Sequence, residues 1–228
     1  MNDKGKNILS ILKEKSKTKQ IVYDNTLQVF NILKEILQEI VGDMNDELRD
    51  KDDRISLNFR DKGTFEAEIK VAGDILVFNM HSNVFEFENS HNIWKTTYVR
   101  NDSMNSYCGV VNIYNFLSDS FKYNRLNDIG YLIGRLFINK DNFYFVEGKR
   151  QMGFLYNEFG SKKIDRAQLK DIVQSAILYS LEFDLLVPPY ERVSEISIGQ
   201  IVDRINHSKM KTGKRLGFQF SSNEDVIS

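Results

Sequence analysis

The chain has 228 residues, 41% of them hydrophobic and 12% aromatic, with 31 basic side chains against 32 acidic ones. That composition suffices for an ordinary globular core and excludes wholesale disorder, while the near-zero net charge leaves no whole-molecule field to draw the chain onto nucleic acid or an anionic membrane. One cysteine, Cys108, excludes an intramolecular disulfide and a multi-cysteine zinc site. The first apolar stretch is too short and too charged for a signal-peptide core, and no apolar run approaches the ~20 residues that span a bilayer. A cytoplasmic protein without a membrane partner is expected.

Residues 1–18 read as a basic leader, with Lys4, Lys6, Lys13, Lys15 and Lys17 against Asp3 and Glu14. A short helix at about Lys6–Lys15 is expected, its apolar side (Ile8, Leu9, Ile11, Leu12) docking on the body. From Lys19 to about Arg49 lies the strongest helical signal of the chain. Phe30, Leu33, Leu37, Ile40, Met44 and Leu48 recur at three- and four-residue steps, and no proline interrupts them. An apolar face of that width suits a helix laid across a sheet, with its length leaving room to pair with a second copy.

The middle of the chain reads as β. Ile55–Phe59 alternates, Asp61-Lys62-Gly63 supplies a turn, and Phe65–Val71 alternates apolar with charged residues as a strand with one wet face. After Gly73-Asp74, the run Ile75–Phe78 is continuously apolar and is expected to be covered on both sides. Val84–Phe87 is a fourth strand candidate, so that three hairpin signals in succession argue for an antiparallel meander. A long polar connection follows over 89–106. Tyr107–Phe116, Tyr131–Ile138 and Asn142–Gly148 are further strands, and Gly130 and Gly134 mark one face for close approach. Asp165 with Gln168 three positions on is a capping-box pattern for a second long helix. A short helix near Ile198–Ile205 and a basic tail, Lys209–Arg215, close the chain. The expected architecture is one α+β domain, 19–208, with an antiparallel sheet of about six or seven strands packed against a long N-terminal helix and a C-terminal helix. The leader at 1–18 and the tail at 209–228 flank it.

Motifs for chemistry are sparse. His81, His91 and His207 are too scattered to supply a zinc set, and all three read as surface histidines. There is no phosphate loop, dinucleotide fingerprint, EF-hand loop or nucleophile elbow. Cys108 sits in an apolar run and reads as a small buried hydrophobe. The segment Phe143–Lys149, a strand ending in Glu-x-Lys with an acid upstream, resembles the core of the PD-(D/E)xK nuclease family. The resemblance implies that Asp128 or Asp141, together with Glu147, holds Mg²⁺ and that Lys149 steadies the attacking water or the phosphate. Hard oxygen ligands are what Mg²⁺ takes. A second Glu-x-Lys at Glu68–Lys70 shows how readily surface strands produce the same pattern.

Aromatic and basic residues gather around the long connection. Tyr, Trp and Arg are enriched at interaction hot spots, which singles out Trp94, Lys95, Tyr98 and Arg100. Arg135 joins them because it interrupts an apolar strand, where a charge needs a partner or an opening to solvent. The leading expectation is a non-catalytic regulatory domain that binds a small polar ligand or a partner protein through these residues, needs no cofactor, and forms a homodimer through its long helix. The alternatives are the Mg²⁺-dependent nuclease and a nucleic-acid-binding accessory protein using the basic ends.

Overall fold

In the computed structural model, residues 2–48, 55, 57–153, 159–183, 187, 189–195 and 197–199 are described. Helix runs without a break from Asp3 to Leu48: α1 (Asp3–Ile11), a π turn (Leu12–Ser16), and α2 (Lys17–Leu48). Asn2 caps the start by accepting a hydrogen bond from the Gly5 backbone N–H at 2.9 Å. The expected boundary at residue 18 is thus crossed by one continuous helix. Among the described helices, none is long and apolar enough to cross a membrane.

The sheet is the expected meander. Its six strands are β1 (Asn58–Asp61), β2 (Glu66–Val71), β3 (Asp74–Met80), β4 (Cys108–Leu117), β5 (Tyr131–Asn139) and β6 (Tyr144–Gly148). They lie in sequence order and every neighbouring pair is antiparallel. The strand expected at Val84–Phe87 reduces to a single bridge between Phe85 and Cys108. The reason is that β3 pairs with β4 along its whole length, from Asp74↔Leu117 to Met80↔Val111, so that only Cys108–Val110 of β4 remain for another strand. Phe87 instead packs against Phe137 and Phe145, with ring centroids 5.0 and 5.6 Å apart.

One face of the sheet carries the main core. Ile69, Leu76, Phe78, Val111, Ile113 and Leu136 are buried against Phe30, Leu33, Ile36, Leu37 and Ile40 of α2 and the apolar stripe of α5 (Arg166–Leu181). Helix α5 starts with the expected capping box: Asp165 accepts from the Gln168 backbone N–H at 2.9 Å, and Gln168 reaches back to the Asp165 N–H at 3.1 Å. The Ile75–Phe78 run is buried throughout, as its uninterrupted apolar sequence requires.

Two asparagines help to hold α2 on the sheet, with two hydrogen bonds each. Asn25 donates to the carbonyls of Asn139 and Lys140 at 3.2 and 2.8 Å. Asn45 bonds both backbone groups of Leu57 at 2.8 and 2.9 Å, fixing the chain just before β1. Between them the helix lies directly on β4. A Cβ added at Gly109 would sit 2.1 Å from Thr26 Oγ1, so only glycine lets the two backbones approach this closely. The close approach expected at Gly134 is also seen, from the Met152 side chain beyond β6. The helix expected near Ile198–Ile205 lies largely outside the described residues, and the tail Lys209–Arg215 does so entirely.

Candidate functional site

The opposite face of the sheet is only partly covered, because residues 84–106 fold over one end of it. Two 3₁₀ turns (Asn92–Lys95 and Ser103–Ser106) and α3 (Thr97–Asn101) give short helical structure to the polar connection expected over 89–106. Their side chains cap their own N-termini: His91 accepts from the Ile93 backbone N–H, Thr96 from that of Val99 and Asp102 from that of Met104. The flap covers a second, smaller core of Ile93, Val99, Cys108, Val110, Phe137 and Phe145.

Trp94 and Tyr98 belong to this flap core. The Trp94 indole packs at its edge and donates to the Phe87 carbonyl at 3.1 Å. Tyr98 O–H donates to Asp141 Oδ2 and accepts from Asn139 Nδ2 at 2.9 Å. Asn139 Oδ1 in turn accepts the backbone N–H groups of Asp141 and Phe143 at 3.0 and 2.9 Å, closing the β5–β6 turn. Burial, reinforced by the Asp141 carboxylate, pushes the Tyr98 phenol well above its ordinary range. Lys95 and Arg100 lie on the outer side of the flap. Lys95 reaches Asn92 at 3.0 Å, and the Arg100 guanidinium donates to the Lys95 carbonyl. Of the five residues read as a binding set, four therefore hold the flap together or line its rim. Only Arg135 sits on the uncovered sheet.

Arg135 belongs to a polar row that runs straight across the strands. Glu66 faces Asn79, Asn79 faces Asn112, Asn112 faces Arg135 and Arg135 faces Glu147. Glu147 accepts from Arg135 through Oε2 and from His91 Nε2 through Oε1, the latter at 3.0 Å. Because His91 Nδ1 already accepts from the Ile93 N–H at 3.2 Å, the imidazole proton must reside on Nε2. His91 was read as a surface residue; it joins the flap to the sheet. The sequence signal was its place as the N-cap of Asn92–Lys95, visible only once that turn is known.

The residues suggested by the nuclease resemblance occupy separate places. Asp128 lies in the β4–β5 connection, after the short helix α4 (Ser118–Lys122), accepting from Ser120 Oγ at 2.6 Å and ion-paired with Arg125 at 3.2 Å. Asp141 lies in the turn at the far end of β5. The nine residues of β5 separate these two acids, a span of about 30 Å at ~3.4 Å per residue. Glu147 faces Arg135 between them, and Lys149 is exposed just beyond β6, its backbone N–H donating to the Ile133 carbonyl at 3.2 Å. The register therefore brings Glu147 next to a cation and a histidine and to neither aspartate. Among the described residues, no three His, Cys, Asp or Glu side chains gather closely enough to hold a metal ion. Cys108 is fully buried, and desolvation pushes its thiol far above the usual range.

The other conspicuous feature lies at the start of the chain. None of the residues in α1 or the π turn is buried, and Ile8, Leu9, Ile11 and Leu12 are 58, 41, 49 and 54% exposed. The leader was expected to dock on the body; it overhangs instead. Burial along the helix begins only at Thr18 and Val22, 9 and 0% exposed, so the turns before Thr18 have no floor. Lys15 of the π turn and Lys19 of α2 place their ammonium groups 5.4 Å from the centroid of the Tyr107 ring. Comparison with family models, curated proteins and solved structures gives no match to this chain.

Proposed function

We propose that the chain is a non-catalytic regulatory domain that works by assembly: two copies associate through the N-terminal helical arm, and the uncovered sheet face around Arg135 is left for a partner protein or a small polar ligand. The observation that carries this reading is the arm itself, whose four large apolar side chains stand in solvent on a helix continuous with the core. A soluble surface seldom places that much aliphatic area on one projecting element unless another surface covers it. Fully burying one Leu or Ile contributes ~1.5–3 kcal/mol, so the half-exposed side chains of two arms offer about 6–12 kcal/mol. That is comparable to the ~4–15 kcal/mol lost on association, and packing of the rest of the arm adds to it. The continuous backbone matters too, because a pre-ordered helix loses less entropy on binding than a flexible tail.

Amide hydrogen exchange across 3–16 tests the reading. Protection in the arm should rise with protein concentration and vanish in a variant carrying Ile8→Glu and Leu12→Glu, while the amides of β3 and β4 keep their protection. Exchange in the arm that is fast and independent of concentration in the wild type would end the proposal.

A further inference from the structure

The long helix is electrically polar along its axis. Residues 3–19 carry six lysines against Asp3 and Glu14, whereas residues 35–47 carry Glu35, Glu39, Asp43, Asp46 and Glu47 and no basic side chain. Part of the acidic end is answered within the chain. Arg166 pairs with both Glu35 and Glu39, and Lys170 lies 3.8 Å from Asp43. Glu47 has no ion-pair partner among the described residues. At the basic end Lys15 and Lys19 are held over Tyr107, while Lys13 and Lys17 have no ion-pair partner among the described residues.

Two arms laid side by side would set lysine against lysine. Like-charge juxtaposition works against that arrangement. Turning one copy around sets the basic arm of each against the acidic half of the other's α2. The arm also carries Ile8, Ile11 and Leu12, 58, 49 and 54% exposed, into that contact. The arrangement uses each end of each helix once, so the contact closes on itself as a two-fold dimer and does not propagate.

Resting on the assembly reading above, we infer that the partner of the arm is a second copy bound antiparallel, with Lys13 and Lys17 of one copy facing Glu47 and Asp43 of the other. Charge reversal separates this from other pairings. A Lys13→Glu/Lys17→Glu variant and an Asp43→Lys/Glu47→Lys variant should each dimerise at least tenfold more weakly than wild type in low salt, since each replaces attraction by repulsion at both ends. An equimolar mixture of the two, or one chain carrying all four changes, should recover wild-type affinity. Wild-type affinity should also fall as salt is raised. If the wild type dimerises and Asp43→Lys/Glu47→Lys leaves its dissociation constant unchanged, the antiparallel pairing is overturned while assembly stands. A wild type that remains monomeric overturns both.

Discussion

Gly109→Ala is the most exacting test of how α2 sits on the sheet. The added methyl would lie 2.1 Å from Thr26 Oγ1, 2.8 Å from its Cβ and 2.9 Å from its Cγ2, all distances that packed side chains do not adopt. Thr26 has nowhere to swing: it is fully buried, and its hydroxyl already donates to the Val22 carbonyl at 2.7 Å. To admit the methyl, α2 must lift from β4, straining the Asn25 bonds to Asn139 and Lys140 one residue away. Overpacking of a close-packed core costs about 1–3 kcal/mol, and three simultaneous clashes put this site at the upper end. In a chain of this size that corresponds to a fall in melting temperature of roughly 6–12 °C, at about 2–4 °C per kcal/mol. Urea unfolding followed by circular dichroism measures it, with an unchanged m-value showing that the unfolded state is unaffected. Thr26→Ala removes the oxygen and the methyl but leaves the Cβ, so Gly109→Ala/Thr26→Ala should be less destabilised than the sum of the single changes, by about 1 kcal/mol. Additive effects, or a Gly109→Ala cost below about 0.5 kcal/mol, would refute the direct contact.

Asn115 is 1% exposed on the core face of β4, and among the described residues neither its amide nitrogen nor its carbonyl oxygen has a partner. Asn115→Leu should therefore raise unfolding free energy by about 1–3 kcal/mol by removing an unsatisfied buried amide; a marked loss of stability would mean that something holds the amide. Cys108 should resist a thiol reagent near pH 8 in the native protein and react fully once unfolded, because burial disfavours its thiolate. Asp61 is held below the usual carboxylate range by Lys34, 2.8 Å away, with help from the Gly63 N–H. A depressed folded-state pKa adds stability that is fully present above the unfolded value of ~3.9 and is lost as pH falls through the folded value. Asp61→Asn should thus be destabilising at neutral pH and approach the wild type as pH drops below about 4 in denaturation series; a gap that stays constant across that range would argue against the pair.

The regular elements were legible because their periods are local. The three- and four-residue recurrence of α2 and the alternation of β2 need no knowledge of the rest of the chain. The flap was not legible, since its three caps come from His91, Thr96 and Asp102 on turns too short to show a period. The same blindness hid where Trp94 and Tyr98 pack. Both were noticed for being aromatic in a polar stretch, but their work is to close a second core against Phe137 and Phe145, which are distant in sequence. Arg135 was readable as a charge in need of a partner; that its partners would be Glu147 and, through it, His91 depends on strand register. The arm was misjudged for a further reason. Its apolar residues continue the stripe of α2, and nothing local to the leader reveals that burial along the helix starts only at Thr18.

The assembly claim stands most directly on the molar mass of the full-length protein in solution. Sedimentation equilibrium at about 10 μM in low salt, a concentration that populates any dimer of micromolar affinity, should give a mass approaching twice the 26.6 kDa chain mass. The Ile8→Glu/Leu12→Glu variant, with an unchanged circular dichroism spectrum, should give the chain mass itself. A wild-type protein that sediments at the single-chain mass, or a variant that remains dimeric, would contradict the account.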